Sequence, residues 1–393
     1  MRLGVVSNVV HYATSEGLHA YGPYARELDI WADLFDEGVI LGPCRNTRPP
    51  GDAVPFTRTN ITIVPQKERG GDSMGAKLSL LTSVPAMMRD LLRGMSNVDA
   101  IHVRCPGNLG LLGVMLGRFV ARKRIAKYAG QWTPYPGEQP TVRLQRWLLG
   151  SSWWGAPVTV YGKWDRQPSH VIPFFTSLMD ADHMGRARLA IARREPSAEL
   201  RIVYLGRLTT SKNLDVLLRA IQNVTAQGLR VRCTIVGEGP ERQSLEQLAA
   251  ELSLAKNVRF TGGVPHEETS SILEDADVLV LVSETEGWPK ALAEAMAFGL
   301  VCIGSDRGLI PQMLGEGRGI VVRPGDVDAL AKELGRIARD PERCPSMRER
   351  AAAWAQQYSL EGLREALRCL LNERWGTKIP PVTRTVRAIA GNQ

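Results

Sequence analysis

The second half of this chain alternates short, β-branched apolar runs with amphipathic helical patterns, and that alternation limits the possible folds more than any other feature. Arg201–Gly206, Val231–Gly237, Asn257–Thr261, Asp277–Ser283, Val301–Ser305 and Gly319–Arg323 read as strands. Between them Leu214, Leu217, Leu218 and Ile221 recur at i, i+3, i+4 and i+7, as do Leu245, Leu248, Ala249 and Leu252. Strands that are apolar throughout, each followed by a helix with one apolar stripe, predict a parallel sheet covered on both faces. The first half repeats the theme less regularly. Its strands are Leu3–Ser7, Gly38–Leu41, Ile61–Val64, Ala100–Arg104, Ile125–Ala129 and Pro157–Tyr161, and its helices fall near 24–36, 77–94, 108–122 and 141–149.

A length of 393 residues suits about two such domains. The expected fold class is therefore α/β, with two Rossmann-like doubly wound domains facing a cleft. The first covers 1–184 and the second 199–348. A hinge at 185–198 joins them, helical in pattern because Met184–Ala198 is rich in Ala and Arg; a helical region follows at 349–374, and 375–393 reads as a loose tail. Ligands of open α/β sheets bind at the carboxyl edges of the strands, so the cleft is where chemistry is expected.

Composition removes several other classes. With 44% hydrophobic and 23% charged residues the chain is neither disordered nor fibrous. It lacks the run of roughly 18 apolar residues that a membrane span requires. Met1-Arg-Leu-Gly-Val-Val-Ser7 reads as a first buried strand rather than a leader, so a cytoplasmic location is expected. The six cysteines and six histidines are scattered, with no CxxC and no ligand spacing, which points to no metal site.

The net charge of +8 is uneven: Lys67 to Arg146 alone holds thirteen Lys/Arg against five Asp/Glu. Such a surface attracts phosphates, acidic saccharides or the anionic face of a membrane, although solubility alone would also account for it. Arg122-Lys123-Arg124 has no interleaved aromatics, which argues against nucleic acid as a partner.

The sharpest local feature is Glu286-Gly287-Trp288-Pro289-Lys290-Ala291-Leu-Ala-Glu294-Ala-Met-Ala-Phe-Gly299. Pro289 suits a first helical position, where its missing N–H is no loss. The free N–H groups near Lys290 and Ala291 then form an anion cradle, reinforced by the helix dipole. Gly287 lets the backbone turn or approach a ligand. Taken alone, two Glu eight residues apart are also ordinary capping charge. Gly206-Arg207-Leu-Thr-Thr-Ser-Lys212-Asn213 follows the first strand of the same domain and opens at the same edge. An Arg and a Lys aimed at one point suit a pyrophosphate. Gly237-Glu238-Gly239-Pro240 and Gly262-Gly263-Val264 are tight loops at that edge too.

With these residues in hand, 200–345 resembles the donor-binding half of GT-B glycosyltransferases, in particular the large retaining family 4. The similarity rests on G-R-x-x-x-x-K-N at 206–213, V-G-E-G-P at 236–240, F-T-G-G-V at 260–264, the E-x7-E segment ending in E-A-M-A-x-G at 294–299, and G-x-G-I-V-V-R-P-G-D at 317–326. The resemblance implies that Arg207 and Lys212 hold the donor diphosphate and stabilise the leaving nucleotide, and that Glu294 binds the ribose. It implies that Glu286 orients the donor sugar near its reactive carbon. The loops carrying Gly206, Glu238, Gly239, Gly263 and Val264 would border the donor, largely through backbone. It further implies metal-independent retention with no cofactor beyond a nucleotide sugar, and a C-terminal helix crossing back to the first domain.

The chain departs from the family where a Gly-Gly loop is usual, reading Ser-Glu-Gly-Leu-His-Ala-Tyr-Gly-Pro-Tyr at 15–24. It departs again where a His is usual, reading Lys127-Tyr128-Ala129-Gly130-Gln131-Trp132, and at Gly308-Leu-Ile-Pro311-Gln312, where a Glu is usual.

For the acceptor side, His102, Arg104, Gln131 and Trp132 are the candidates. Arg104 would hold an anionic acceptor or a structural ion pair. His102 is either a ligand or a satisfied strand histidine. Trp132, Tyr135, Trp147, Trp153, Trp154 and Trp164 crowd into 132–164, where they stack on sugars, fill a core or meet a membrane interface. Leu111–Leu116 is either a buried helix or a segment dipping into a bilayer. The expected partners are a nucleotide-sugar donor and a saccharide or lipid-linked acceptor, with peripheral membrane contact through the basic first domain. The expected activity is hexosyl transfer in surface polysaccharide or glycolipid assembly. The rival readings are a soluble disaccharide or sugar-phosphate synthase, and a non-catalytic nucleotide-sugar-binding scaffold.

Overall fold

The computed structural model describes residues 1–67, 74–195, 197–340 and 344–381, with the backbone alone for 74–82. Two parallel sheets carry the chain. The first has seven strands in the order Val171–Phe174, Val158–Tyr161, Lys123–Tyr128, Ala100–Cys105, Arg2–Val6, Glu37–Gly42 and Ile61–Pro65. The second has six, in the order Val258–Gly262, Val231–Val236, Leu200–Leu205, Val278–Leu281, Val301–Ser305 and Ile320–Val322. The central strands are apolar on both faces because helices cover both; Val278–Leu281 is buried at every position. The two Rossmann-like sheets fit the expected fold class.

The helix Leu214–Ala226 shows how the pattern becomes packing. Leu214, Leu217, Leu218, Ile221 and Val224 fall on one face and are all buried in the second core. At the other end of the chain, Leu363, Leu367, Leu370 and Leu371 of the helix Leu360–Trp375 enter the first domain's core. There they join Tyr24, Leu28 and Trp31 of the helix Gly22–Ala32. The last helix thus crosses back, as the resemblance implies.

Three details differ from the sequence reading. The stretch 349–374 is two helices, Pro345–Ala355 and Leu360–Trp375, because Ser359 caps the second one by accepting from the Gly362 N–H. The helix expected in the hinge begins earlier, at Ala181, with Asp180 as its cap, and ends at Ala192, short of 198. A small sheet of Cys44–Arg45, His11–Thr14, Gly17–Tyr21 and Ala53–Pro55 was not anticipated. Its strands are too short to show a period. Residues 382–393 of the expected tail lie outside the described residues.

The segment Leu111–Leu116 belongs to the helix Asn108–Val120, and Leu112, Val114 and Leu116 are buried in the first domain, so it does not lie flat on a bilayer. Among the described residues, no helix is long and apolar enough to cross a membrane.

Candidate active site

The carboxyl ends of both sheets meet across one cleft. On the second-domain side, two loops pack backbone on backbone. The Leu208 N–H donates to the Glu238 carbonyl at 2.9 Å and the Gly206 N–H to the Val236 carbonyl at 3.0 Å. A Cβ at Gly239 would lie 2.1 Å from the Leu208 carbonyl oxygen, and one at Gly237 would lie 1.9 Å from that of Gly206. Only glycine fits these two positions. The glycines of V-G-E-G-P therefore set the loop that presents Arg207.

Arg207 is exposed and makes no ion pair among the described residues; its backbone carbonyl is held by the Tyr204 hydroxyl at 3.0 Å. Lys212 ends a 3-10 turn, Thr210–Lys212, and its Nζ lies 2.5 Å from Glu286 Oε1. Both side chains are mostly shielded, at 20% and 12% exposure. The cation and the carboxylate implied at the donor diphosphate and the donor sugar are thus in direct contact. Glu238 pairs with Arg242 instead of facing the cleft, which leaves its backbone as the donor-side element. A Cβ at Gly263 would meet only the Glu238 side chain, at 3.8 Å, and Val264 packs against the second core.

Gly287 abuts the first domain, where a Cβ would lie 3.1 Å from the Gly130 carbonyl carbon. Pro289 is the N-cap of the helix Lys290–Ala297, one position earlier than the sequence suggests. Ala291 is partly buried in the first turn, and Glu294 is 7% exposed within the helix. Burial pushes the Glu294 carboxyl up to about 7, against the pull of Lys290 and Arg26. His266 Nδ1 sits 3.5 Å from Glu294 Oε1. The other ring nitrogen, Nε2, is 3.1 Å from the Leu178 carbonyl, which can only accept, so Nε2 carries the proton. Burial holds His266 near 4, so at neutral pH its Nδ1 faces Glu294 as a lone pair.

The first-domain wall is an ion cluster. Glu27, 1% exposed, contacts Lys127 Nζ at 2.7 Å and Arg104 Nη1 at 3.3 Å. Burial pushes the Glu27 carboxyl up, but Lys127 and Arg104 pull it well below the carboxylate range. Lys290 reaches this cluster from the second domain. Burial draws its ammonium down to about 7, with Glu27 opposing the shift and Arg104 and Lys127 adding to it. Tyr21, at the end of the small sheet, lies within the fields of Arg104, Glu294 and Arg207, so it sits where the two walls meet.

The four acceptor-side candidates separate. His102 is fully buried and stacks on Trp31 at 4.3 Å between ring centroids, which removes it from the cleft and corrects its assignment as an acceptor ligand. It is a strand histidine, as the alternative reading has it, but not a satisfied one: neither ring nitrogen has a hydrogen-bond partner. Arg104 is engaged by Glu27 and by the Tyr24 ring at 5.2 Å, the structural alternative. Trp132 packs edge-on against Tyr128 at 5.2 Å, at the fringe of the first core. Gln131 does reach the cleft, where its Oε1 accepts from the Thr285 hydroxyl at 3.1 Å, beside Glu286.

Sequence reasoning missed His266, Glu27, Arg26, Lys127 and Tyr21. For His266 a signal existed, two residues past Val264 in a loop already marked. Among the described residues no three His, Cys, Asp or Glu side chains come close enough to hold a metal ion.

Residues 188–354 match the family model Glycosyl transferases group 1. That stretch contains the whole second sheet and every donor-side residue named above. The chain is also 27% identical over 295 residues, 70% of its length and 75% of the relative's, to a GDP-mannose-dependent alpha-(1-6)-phosphatidylinositol monomannoside mannosyltransferase of Mycolicibacterium smegmatis. It is 33% identical over 187 residues to the putative colanic acid biosynthesis glycosyltransferase WcaL of Salmonella typhimurium, covering 45% of this chain and 46% of that one. Among solved structures it resembles the sucrose-phosphate synthase of Thermosynechococcus elongatus, with a TM-score of 0.70 at 18% identity, covering 96% of this chain and 100% of that one. It also resembles Anabaena HepE in complex with UDP-glucose, with a TM-score of 0.67 at 14% identity, covering 95% and 100%. At these identities the solved structures establish the GT-B fold. The group 1 match and the relatives support a glycosyltransferase.

Proposed function

We propose that this chain transfers a hexosyl group from a nucleoside diphosphate sugar to a hydroxyl acceptor, with retention and without a metal ion. The observation that carries the reading is the Lys212–Glu286 contact at 2.5 Å beside Arg207, which makes no ion pair among the described residues, all at one sheet edge. When the C1–O bond to the diphosphate breaks, the electron pair leaves with the phosphate oxygen. Arg207 and Lys212 meet that charge, which is where fixed cations lower a barrier most. Glu286 orients the sugar, and Glu294 accepts from the ribose. The acceptor oxygen then bonds to C1, and its proton passes to the departing phosphate. That route suits a site whose Glu286 is already committed to Lys212 and whose Ala129-Gly130 segment offers no side-chain base.

Relatives named for a phosphatidylinositol mannoside and for colanic acid support a place in glycolipid or surface polysaccharide assembly. The test is donor turnover in EDTA with wild type and Glu286→Gln. The expected result is a donor-specific release of nucleotide that falls by about two orders of magnitude in the variant with little change in nucleotide affinity. Equal loss of nucleotide binding and turnover would contradict the role given to Glu286.

A further inference from the structure

The chain crosses between the domains twice. The first crossing runs from the strand Val171–Phe174 to the helix Ala181–Ala192, the second from the helix Pro345–Ala355 to the helix Leu360–Trp375. The two are stitched together. Ser177 Oγ donates to the Tyr358 carbonyl at 2.7 Å, the Leu360 N–H to the Met179 carbonyl at 2.8 Å, and the Ala181 N–H to Glu361 Oε1 at 3.2 Å. Leu178 lies in the middle of the first crossing, and its carbonyl accepts from His266 Nε2 at 3.1 Å.

His266 opens the helix His266–Glu274 and is held on a second side as well. Its ring lies 4.7 Å from that of His183, between centroids, and His183 Nδ1 is 2.7 Å from Asp180 Oδ1. The same Asp180 oxygen accepts from the His183 N–H at 2.9 Å and so caps the helix Ala181–Ala192. The ring edge left over, at Nδ1, is the one that stands 3.5 Å from Glu294 Oε1. Both side chains are shielded, at 17% and 9% exposure.

Burial first, then the fields of Arg26 and His183, keep the ring neutral. With its proton committed to Leu178, it presents no donor to Glu294. The carboxyl oxygens therefore keep their lone pairs for other donors, while the ring edge bars the carboxyl from swinging toward the linker. Ordering a flexible side chain before its ligand arrives removes that cost from binding.

We infer that His266 is a positioning residue of the donor site: anchored on the interdomain linker through Leu178 and His183, it holds the Glu294 carboxyl ready for the ribose. The inference rests on the reading of Glu294 as the ribose carboxylate, and adds that the hinge itself shapes that end of the site.

The test is calorimetric titration of the full chain in EDTA with UDP, GDP and ADP and with their 2′-deoxy counterparts. The readout is the ratio of the two dissociation constants for the base that binds. General damage weakens both ligands and leaves this ratio alone. Wild type should prefer the ribonucleotide by about tenfold or more, and His266→Ala should cut the preference to about twofold. His266→Gln places an amide N–H near the position of Nε2, keeps a donor for the Leu178 carbonyl, and should restore part of the preference. His183→Ala removes the second support and should give an intermediate loss; it carries the test if His266→Ala does not fold. A full preference in either alanine variant, or a glutamine variant no better than alanine, would overturn the inference. The reading of Glu294 is checked separately by Glu294→Gln, in which the preference should fall. If wild type has no preference, or Glu294→Gln retains it in full, that reading fails and the inference falls with it.

Discussion

Gln312 grips the backbone of Lys163 with both ends of its side-chain amide. The Lys163 N–H donates to Gln312 Oε1 at 3.0 Å, and Gln312 Nε2 donates to the Lys163 carbonyl at 2.9 Å. The two residues belong to opposite domains, so the clasp ties the walls of the cleft together alongside the Thr285–Gln131 hydrogen bond. Only an amide can make both bonds, because a carboxylate has no hydrogen to donate.

Gln312→Glu should therefore open the cleft. One hydrogen bond is lost and two acceptors are set facing each other, a change of about 1–3 kcal/mol. The expected outcome is a larger radius of gyration by small-angle scattering and a raised donor KM, with the melting temperature of the second domain little changed. An unchanged radius and KM would show that the clasp does not govern closure.

Lys212→Ala removes the partner of Glu286 as well as a cation for the diphosphate. Charge-assisted hydrogen bonds of this kind contribute about 1.5–3 kcal/mol, so nucleoside diphosphate affinity should fall by roughly one to two orders of magnitude. Nucleoside monophosphate should lose less. Calorimetry with both ligands separates a lost phosphate contact from general damage to the site.

Glu294 supplies a pH signature. Its carboxyl, held near 7 by burial, is mostly neutral at about pH 6 and mostly charged at about pH 8. The charged form accepts from both ribose hydroxyls, and the neutral form must donate at one oxygen. The preference for a ribonucleotide over its 2′-deoxy counterpart should therefore widen as pH rises through about 7. Comparing the two ligands cancels the effect of Lys290, which loses charge in the same range. In Glu294→Gln the preference should be independent of pH; a slope that persists there would assign it elsewhere.

His102 should matter for stability and not for turnover. Burial holds its pKa near 3, so the cation is disfavoured in the folded state. The unfolded chain takes up a proton below about 6.5, and stability is lost as pH falls from there toward the folded value. His102→Phe keeps the stack on Trp31 and removes this dependence. The variant should gain about 2 kcal/mol over wild type by about pH 5, read from thermal melts, with turnover at neutral pH unaltered.

The parallel sheets were legible because each strand and helix announces itself locally; Leu214 to Val224 shows its buried face in the spacing alone. The edge that carries Arg207, Lys212, Glu286 and Glu294 was legible because the first three sit in loops, and the fourth in the helix after them, that a parallel sheet must bring to one side. The first-domain wall was not. Glu27, on a helix, meets Lys127 and Arg104, on two strands, only once those elements pack, and no spacing encodes that meeting. The sequence leaves His102 open between ligand and strand residue for the same reason, since a strand position does not reveal that Trp31 lies across it. The helix Asn108–Val120 hid its two faces, because its core residues and its exposed Met115 and Phe119 are equally apolar.

The most direct test of the central claim is calorimetric titration of wild type and Arg207→Ala with UDP, GDP, ADP and dTDP in EDTA. The account predicts that one of these binds wild type without a metal and binds the variant at least about tenfold more weakly. If none binds, or if the variant binds as wild type does, Arg207 and Lys212 do not form a diphosphate site.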